Sequence, residues 1–245
     1  MFPSRPPRLR MAGSTATGVP ETRGLGGQLA AADALAVRWS SQAAAVLVLL
    51  LAANAALATV GVALGAWLRD DPALYFRELM PGTLLSAAHF VTAALVARSI
   101  HLREPRRRPW HDSFWGLSAA LLLFLATVEV AQPTIFLSHW LRDDVGLRAP
   151  TAFADLDALL MVLLLSAVAL LLLRRVLDVL HHPRALVLFA CAGGLGALSQ
   201  LIDATAKVSA WEFVVEDGLK ALGGPFLLSA YLVVLAAVSG GARRG

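Results

Sequence analysis

Residues 158–175 read ALLMVLLLSAVALLLLRR, an apolar run from Ala158 to Leu173 that holds no charged side chain and is closed by Arg174 and Arg175. A helix needs about 20 consecutive apolar residues to cross a hydrocarbon core roughly 30 Å thick. Five other stretches of the chain meet the same requirement. The six predicted spans cover residues 42–68, 80–100, 113–138, 155–176, 184–206 and 212–238. The sequence therefore predicts an all-α protein, a polytopic bundle of six transmembrane helices.

The remainder of the 245-residue chain is too short to form a soluble domain beside this bundle. Residues 1–38 are rich in Gly, Ala, Pro and Arg, which predicts a disordered cytoplasmic tail. The bundle occupies residues 39–240, and residues 241–245 form a cytoplasmic stub. We therefore expect any binding site or reaction within the bundle or at its edge. The single cysteine, Cys191, excludes a disulfide framework within the chain.

Basic residues orient the predicted bundle. Fifteen of the 21 Arg and Lys residues fall in the N-terminal tail, the second and fourth connections and the C-terminal stub. The positive-inside rule then places both termini in the cytoplasm, in a cytoplasmic (inner) membrane. Because the basic residues follow topology, the high pI does not predict nucleic-acid binding. Membrane lipids are the expected partners, and a membrane-protein partner stays open.

Several polar side chains fall inside the predicted spans, where an ionisable group costs about 2.5–3.5 kcal/mol on insertion scales. They are Asn54, His89, Glu129, Gln132, Gln200 and Asp203. At about 1.5 Å rise per residue, Asn54 and His89 lie near the midplane and the others lie outward of it. We therefore predict a polar centre in the outer half of the bundle.

The predicted ligand-binding residues are His89, Glu129, Gln132, Gln200 and Asp203. A carboxylate as deep as Glu129 is expected to be protonated or paired with a cation. The amides favour interhelical hydrogen bonds as well as a site. Asp203 pairs equally well with a lysine one turn on, at residue 207, and residues 216 and 220 have the same i, i+4 spacing.

Two features of the sequence predict how the helices are arranged: the positions of small residues, and spans that are apolar on every face. Gly193 and Gly196 share one stripe of the fifth span with Gln200, which favours close approach of a neighbour and a central position. The uniformly apolar fourth span is expected to face lipid. Gly223, Gly224 and Pro225 predict a kink in the sixth span.

Three functional classes are consistent with this pattern. The first is a site that binds or moves a lipid or small solute. The second is a metal-dependent hydrolase: Ser86-x-x-His89 and Asp203 resemble residues of the ceramidase-like superfamily, although the late HxxxH pair of those enzymes is missing here. The third is a non-catalytic assembly or interaction protein. Histidine pairs are also the ligands of b-type haem, but the sequence identifies neither a cofactor nor a metal site.

Two further stretches, LATVEVAQ at residues 125–132 and VEDGLKALG at residues 215–223, carry a second resemblance. They are similar to segments of uncharacterised bacterial multi-pass inner-membrane proteins that hold acidic residues inside the membrane. Val128 stands where those proteins have an aspartate, and Trp140 follows His139 where they have a glutamate. The resemblance implies a shared architecture and no particular reaction.

Overall fold

The computed structural model describes residues 38, 40, 42–74, 81–104, 109–148, 150, 156–205 and 209–241. These residues form eight α-helices and no strand. The helices are α1 (Ala43–Arg69), α2 (Pro81–His101), α3 (Phe114–Ala131), α4 (Pro133–Asp143), α5 (Leu156–Leu173), α6 (Leu177–Leu180), α7 (Pro183–Thr205) and α8 (Ala210–Gly241). A short 3-10 helix, Trp110–Asp112, precedes α3. The predicted tail and stub lie almost wholly outside the described residues.

Six of these helices, α1, α2, α3, α5, α7 and α8, are long and apolar enough to cross a membrane. The predicted fold class is therefore confirmed, and the protein is an all-α, multi-pass membrane protein. Five predicted spans agree with the observed helices to within three residues at each end. Successive spans alternate in direction. We call the end where α3 and α7 finish and α8 begins the polar end of the bundle.

The third predicted span, 113–138, is wrong at its end. Gln132 adopts the left-handed conformation (φ 48°, ψ 48°), and its N–H still donates to the Val128 carbonyl. Pro133 disfavours the right-handed helical conformation in the residue before it and has no N–H to continue the ladder. The membrane-spanning helix therefore stops at Ala131, and α4 starts at Pro133 as a separate helix at the polar end.

The centre of the bundle is α8, which packs against α1, α2 and α7, while α2 also packs against α3. In α8, 61% of the apolar span is buried inside the bundle, and in α2 the buried share is 56%. In α7 it is only 17%. The prediction that the fifth span is central is therefore wrong. The apolar span of α5 is only 11% buried, consistent with the predicted lipid-facing fourth span.

Aromatic side chains close the core at the end opposite the polar end. Phe189 of α7 stands edge-on to Tyr231 of α8, with ring centroids 5.0 Å apart, and to Phe114 of α3 at 6.1 Å. Trp115 meets the same Tyr231 ring edge-on at 6.0 Å. Edge-to-face pairs of this kind stabilise by about 0.5–1.5 kcal/mol beyond their buried area. They join α3, α7 and α8 beneath the region described below.

A side chain of α1 donates a hydrogen bond to the backbone of α8. The helix continues unbroken through Pro225. In an α-helix the carbonyl of residue 221 accepts from the N–H of residue 225, which proline lacks. The Nδ2 of Asn54, a residue only 3% exposed, donates to the Ala221 carbonyl oxygen at 2.7 Å. This bond satisfies the acceptor that Pro225 leaves unpaired and attaches α1 to α8.

Replacing Asn54 tests this pairing. We expect Asn54→Leu to lower the free energy of unfolding by about 1 kcal/mol, because a buried carbonyl loses its donor. In the Pro225→Ala background the residue-225 N–H serves that carbonyl, so Asn54→Leu should cost much less. Thermal unfolding of the four proteins in detergent measures the coupling. Strictly additive effects would contradict the assignment.

Candidate functional site

Two adjoining cavities lie between the helices. The larger, which we call the apolar chamber, has a volume of about 820 Å³ and is lined by α2, α3, α5, α7 and α8. Its wall is mainly aliphatic and aromatic, with Phe90, Leu125, Leu165 and Leu227 among its residues. The smaller, which we call the polar vestibule, has a volume of about 570 Å³ and lies at the polar end. The chamber is of a size typical of ligand pockets.

Glycines make room for the chamber. Gly193 and Gly196 of α7 line it, and a Cβ placed on either residue would meet no atom within 4 Å. The stripe therefore leaves space beside the helix instead of admitting a neighbouring backbone. The sequence located the stripe correctly, but its predicted use in close helix packing is wrong.

Charged side chains from four helices line the vestibule. It is lined by the carboxyl groups of Glu129, Asp157, Asp203, Glu216 and Asp217 and by the ammonium of Lys220. Among the described residues, Lys220 is the one basic side chain that lines either cavity. The vestibule and the chamber share Val128, Glu129, Met161, Gln200 and Lys220 as wall residues. The two cavities therefore meet at a boundary where Glu129, Gln200 and Lys220 supply the polar atoms.

Lys220 is held by two carboxylates of its own helix. Its Nζ lies 2.5 Å from Glu216 Oε1 and 3.0 Å from Asp217 Oδ1. These i, i+4 and i, i+3 spacings bring side chains together on one helix face, and the predicted pair between residues 216 and 220 is confirmed. Glu129 of α3 lies within electrostatic range of Lys220. Lys220 thus supplies a cation near Glu129, as a deep carboxylate requires.

Gln200 has an unused acceptor. The residue is 8% exposed and lines both cavities. Within the described part of the chain, its Oε1 accepts no hydrogen bond. A buried polar atom without a partner costs about 1–3 kcal/mol.

The structure brings four of the five predicted site residues together: Glu129, Gln132, Gln200 and Asp203 all line the vestibule. It places His89 elsewhere. That side chain lines neither cavity, packs against Gly224 of α8, and its Nδ1 finds no hydrogen-bond partner among the described residues. The alternative lysine partner of Asp203, at residue 207, lies outside the described residues.

Sequence reasoning missed Asp157 and Asp217 and gave Lys220 too small a role. All three lie in the first turns of α5 and α8, where a charged residue is ordinarily read as a helix-end group facing water. The sequence signal that could have identified these residues is their depth in the membrane. Asp157, Asp217 and Lys220 fall at the same membrane end as Glu129 and Asp203, and this shared depth could have placed them in the same polar centre.

Metal binding finds no support in the described residues. No three His, Cys, Asp or Glu side chains among them come together in a way that could hold a metal ion. Ser86 lines the chamber, Asp203 lines the vestibule, and His89 lies apart from both cavities. The three residues that resemble the ceramidase-like enzymes therefore do not form a ligand set. We derive no reaction through a metal.

Comparison with protein-family models, curated proteins and solved structures gives no match to this chain. The assignment of function therefore depends on the two cavities and the residues that line them.

Lys220 is expected to hold the vestibule together. Lys220→Met leaves Glu216 and Asp217 without their cation. Because these ion pairs are part-buried, we expect the free energy of unfolding to fall by about 1–3 kcal/mol, less than for a fully buried pair. Adding Glu216→Gln should recover part of the loss, and Lys220→Arg should recover most of it. Thermal unfolding in detergent compares the variants. A Lys220→Met protein as stable as the parent would contradict this description of the vestibule.

Gly224 should tolerate no side chain while His89 is present. A Cβ at residue 224 would lie 2.7 Å from His89 Nδ1 and 2.8 Å from its Cγ. We expect Gly224→Ala to lower the free energy of unfolding by about 1–3 kcal/mol, as overpacking does. Gly223→Ala, whose Cβ meets nothing closer than 3.5 Å, is the matched control. Combining Gly224→Ala with His89→Ala should relieve the overlap, and failure to do so would show that the cost arises elsewhere.

Proposed function

We propose that this protein binds an amphiphilic molecule inside the membrane, with the apolar part of the molecule in the chamber and its polar head in the vestibule. The observation that carries the proposal is the junction of the two cavities. An apolar space of about 820 Å³ opens against a charged one of about 570 Å³, and both share Glu129, Gln200 and Lys220 in their walls. Such a division matches a molecule that is apolar at one end and polar at the other.

The position of the vestibule agrees with a lipid-derived ligand. Charged side chains inside a membrane are costly, and they ordinarily mark a ligand or ion pathway. Here they lie at one end of the bundle, where the head of an amphiphile in one leaflet would lie. The distribution of Arg and Lys supports cytoplasmic termini, and the vestibule then belongs to the outer leaflet of a cytoplasmic membrane.

The helices that form the cavity walls differ in how extensively they pack against the rest of the bundle. α8 is fixed by α1, α2 and α7, whereas α5 packs on α4 and α7 and only slightly on α3. Met161 and Leu165 of α5 nevertheless form part of the chamber wall. An amphiphile diffusing in the leaflet would enter most easily beside α5, because displacement of that helix disrupts the least packing. We therefore propose binding as the activity. Moving the ligand between leaflets would need a second opening, toward the other leaflet.

Filling the chamber tests the proposal. Gly196→Leu places an isobutyl group in open space on the chamber side of α7, and Gly194→Leu places the same group on an open, exposed side of that helix that does not line the chamber. Both changes raise helix propensity alike, so stability should be matched. The probes are hexadecyl amphiphiles carrying a mid-chain diazirine, with an ammonium or an alcohol head.

After illumination in nanodiscs, peptide mass spectrometry should locate the cross-links on α7 and α8 residues that line the chamber. We expect Gly196→Leu to reduce this labelling about tenfold or more, equivalent to about 1.4 kcal/mol of binding, and Gly194→Leu to leave it unchanged. Labelling confined to the lipid-facing surface of α1 and α5, or equally strong in both variants, would overturn the proposal and favour an assembly protein whose polar groups only stabilise the bundle.

A further inference from the structure

The short helix α4 lies at the polar end of the bundle, between two membrane-spanning helices. It begins at Pro133, directly after the left-handed Gln132 that ends α3, and it finishes before α5 begins at Leu156. Its 11 residues rise about 16 Å, which is too short to cross a hydrocarbon core roughly 30 Å thick. A helix in this place either projects into the water or lies along the membrane surface.

Large apolar side chains are exposed along one side of α4. Phe136 is 74% exposed, Trp140 53% and Leu137 42%, and no residue of the helix is fully buried. At about 100° per residue, the three side chains fall within an arc of about 100° around the helix axis. We call this arc the apolar sector. A helix that projected from the membrane would hold the whole sector in water, which the hydrophobic effect opposes.

The other sides of α4 face the bundle and carry charge. Thr134 and Ile135 are half-buried and line the vestibule, and the helix packs on α5. At the same 100° per residue, His139 and Asp143 lie between this bundle-facing side and the apolar sector. Arg142 joins them: its Nη2 lies 2.7 Å from His139 Nδ1, and its Nε donates to Asp143 Oδ1 at 3.1 Å. The helix thus has one side for the bundle, one charged side and one apolar side.

This three-sided division matches the boundary between a membrane and water. An amphipathic helix at that boundary buries its apolar side about 5–10 Å into the leaflet and keeps its charged side in water. Tryptophan is enriched at the same depth, because the indole ring is apolar with one polar N–H. The neighbouring helices also present apolar surface to lipid: the apolar span of α5 is only 11% buried, and Phe124 and Val130 of α3 are exposed.

We infer that α4 is an interfacial helix that lies along the membrane surface at the polar end, and that the partner of its apolar sector is the lipid leaflet itself. Phe136, Leu137 and Trp140 lie among the lipids just below the head groups. Since Thr134 and Ile135 line the vestibule, α4 forms a wall of that cavity whose outer side contacts lipid. This position of α4 does not depend on whether either cavity binds a ligand.

Spin labels on single cysteines measure the depth of each side of the helix. Phe136→Cys and Trp140→Cys, made with Cys191→Ser, place a nitroxide in the apolar sector of the full-length protein in nanodiscs. Asp143→Cys is the matched control, because its side chain lies on the same helix and is 63% exposed. We expect the first two labels to relax with dissolved oxygen rather than with a water-soluble nickel complex, at a depth of about 5–10 Å. The label at residue 143 should show the opposite preference.

The fluorescence of Trp140 gives a second measurement that needs no label. Its emission is the difference between the spectra of the parent protein and of Trp140→Phe. We expect this emission to be quenched by lipids brominated along their acyl chains and hardly at all by acrylamide in the water. Because the native side chain is observed, this measurement remains decisive even where a cysteine variant is unstable.

Two results would overturn the inference. Labels at residues 136 and 140 that meet the nickel complex as readily as the label at residue 143 would show that α4 projects into water. Labels shielded from both oxygen and nickel, together with Trp140 emission that neither brominated lipid nor acrylamide quenches, would show that protein and not lipid covers the apolar sector. The covering protein would then be a second copy of this chain or another membrane protein.

Discussion

The course of α8 through Pro225 is the constraint on which the rest of the bundle depends. This helix contacts α1, α2 and α7, and it carries Lys220 into the vestibule and Gly223 and Gly224 along the chamber. A proline within a helix removes one backbone donor, and in hydrocarbon no water replaces it. The amide of Asn54 supplies that donor from α1. One interhelical bond therefore satisfies the free carbonyl and attaches α1 to the helix around which both cavities are arranged.

The same helix also limits where polar groups can lie. Glu216, Asp217 and Lys220 occupy its first turns, and their mutual ion pairs let three charged groups share one helix face. Beyond them Gly223 and Gly224 reduce the width of the helix. Along α8 the wall thus changes from charged to apolar within about two turns, a rise of roughly 10 Å. The junction of vestibule and chamber is a direct consequence of this order of residues.

The fold was largely predictable, and the packing was not. Hydrophobic length alone identified six spans, because the thickness of the bilayer sets a requirement that few other structures meet. The end of α3 was missed because Gln132 in the left-handed conformation lets the apolar pattern run on after the helix has stopped. The position of α7 was missed because glycines serve close packing and open space equally well, and only neighbouring helices decide between them. Likewise, depth grouped Glu129, Gln132, Gln200 and Asp203 correctly, whereas it could not show that His89 packs away from them against Gly224.

In the proposed amphiphile site, selectivity resides in the vestibule. Lipid tails are as apolar as the side chains of the chamber, so transfer of a chain from lipid into the chamber gains little from the hydrophobic effect. In that proposal the chamber would hold an apolar body of suitable shape, and dispersion contacts with its walls would be its main contribution to binding. Polar groups behave differently, because Gln200 and the carboxyl groups around it are held in a medium where each unmet interaction is costly. For the ligand proposed above, the free energy that distinguishes one amphiphile from another is consequently determined at the vestibule, where Glu129 and Gln200 line its boundary with the chamber.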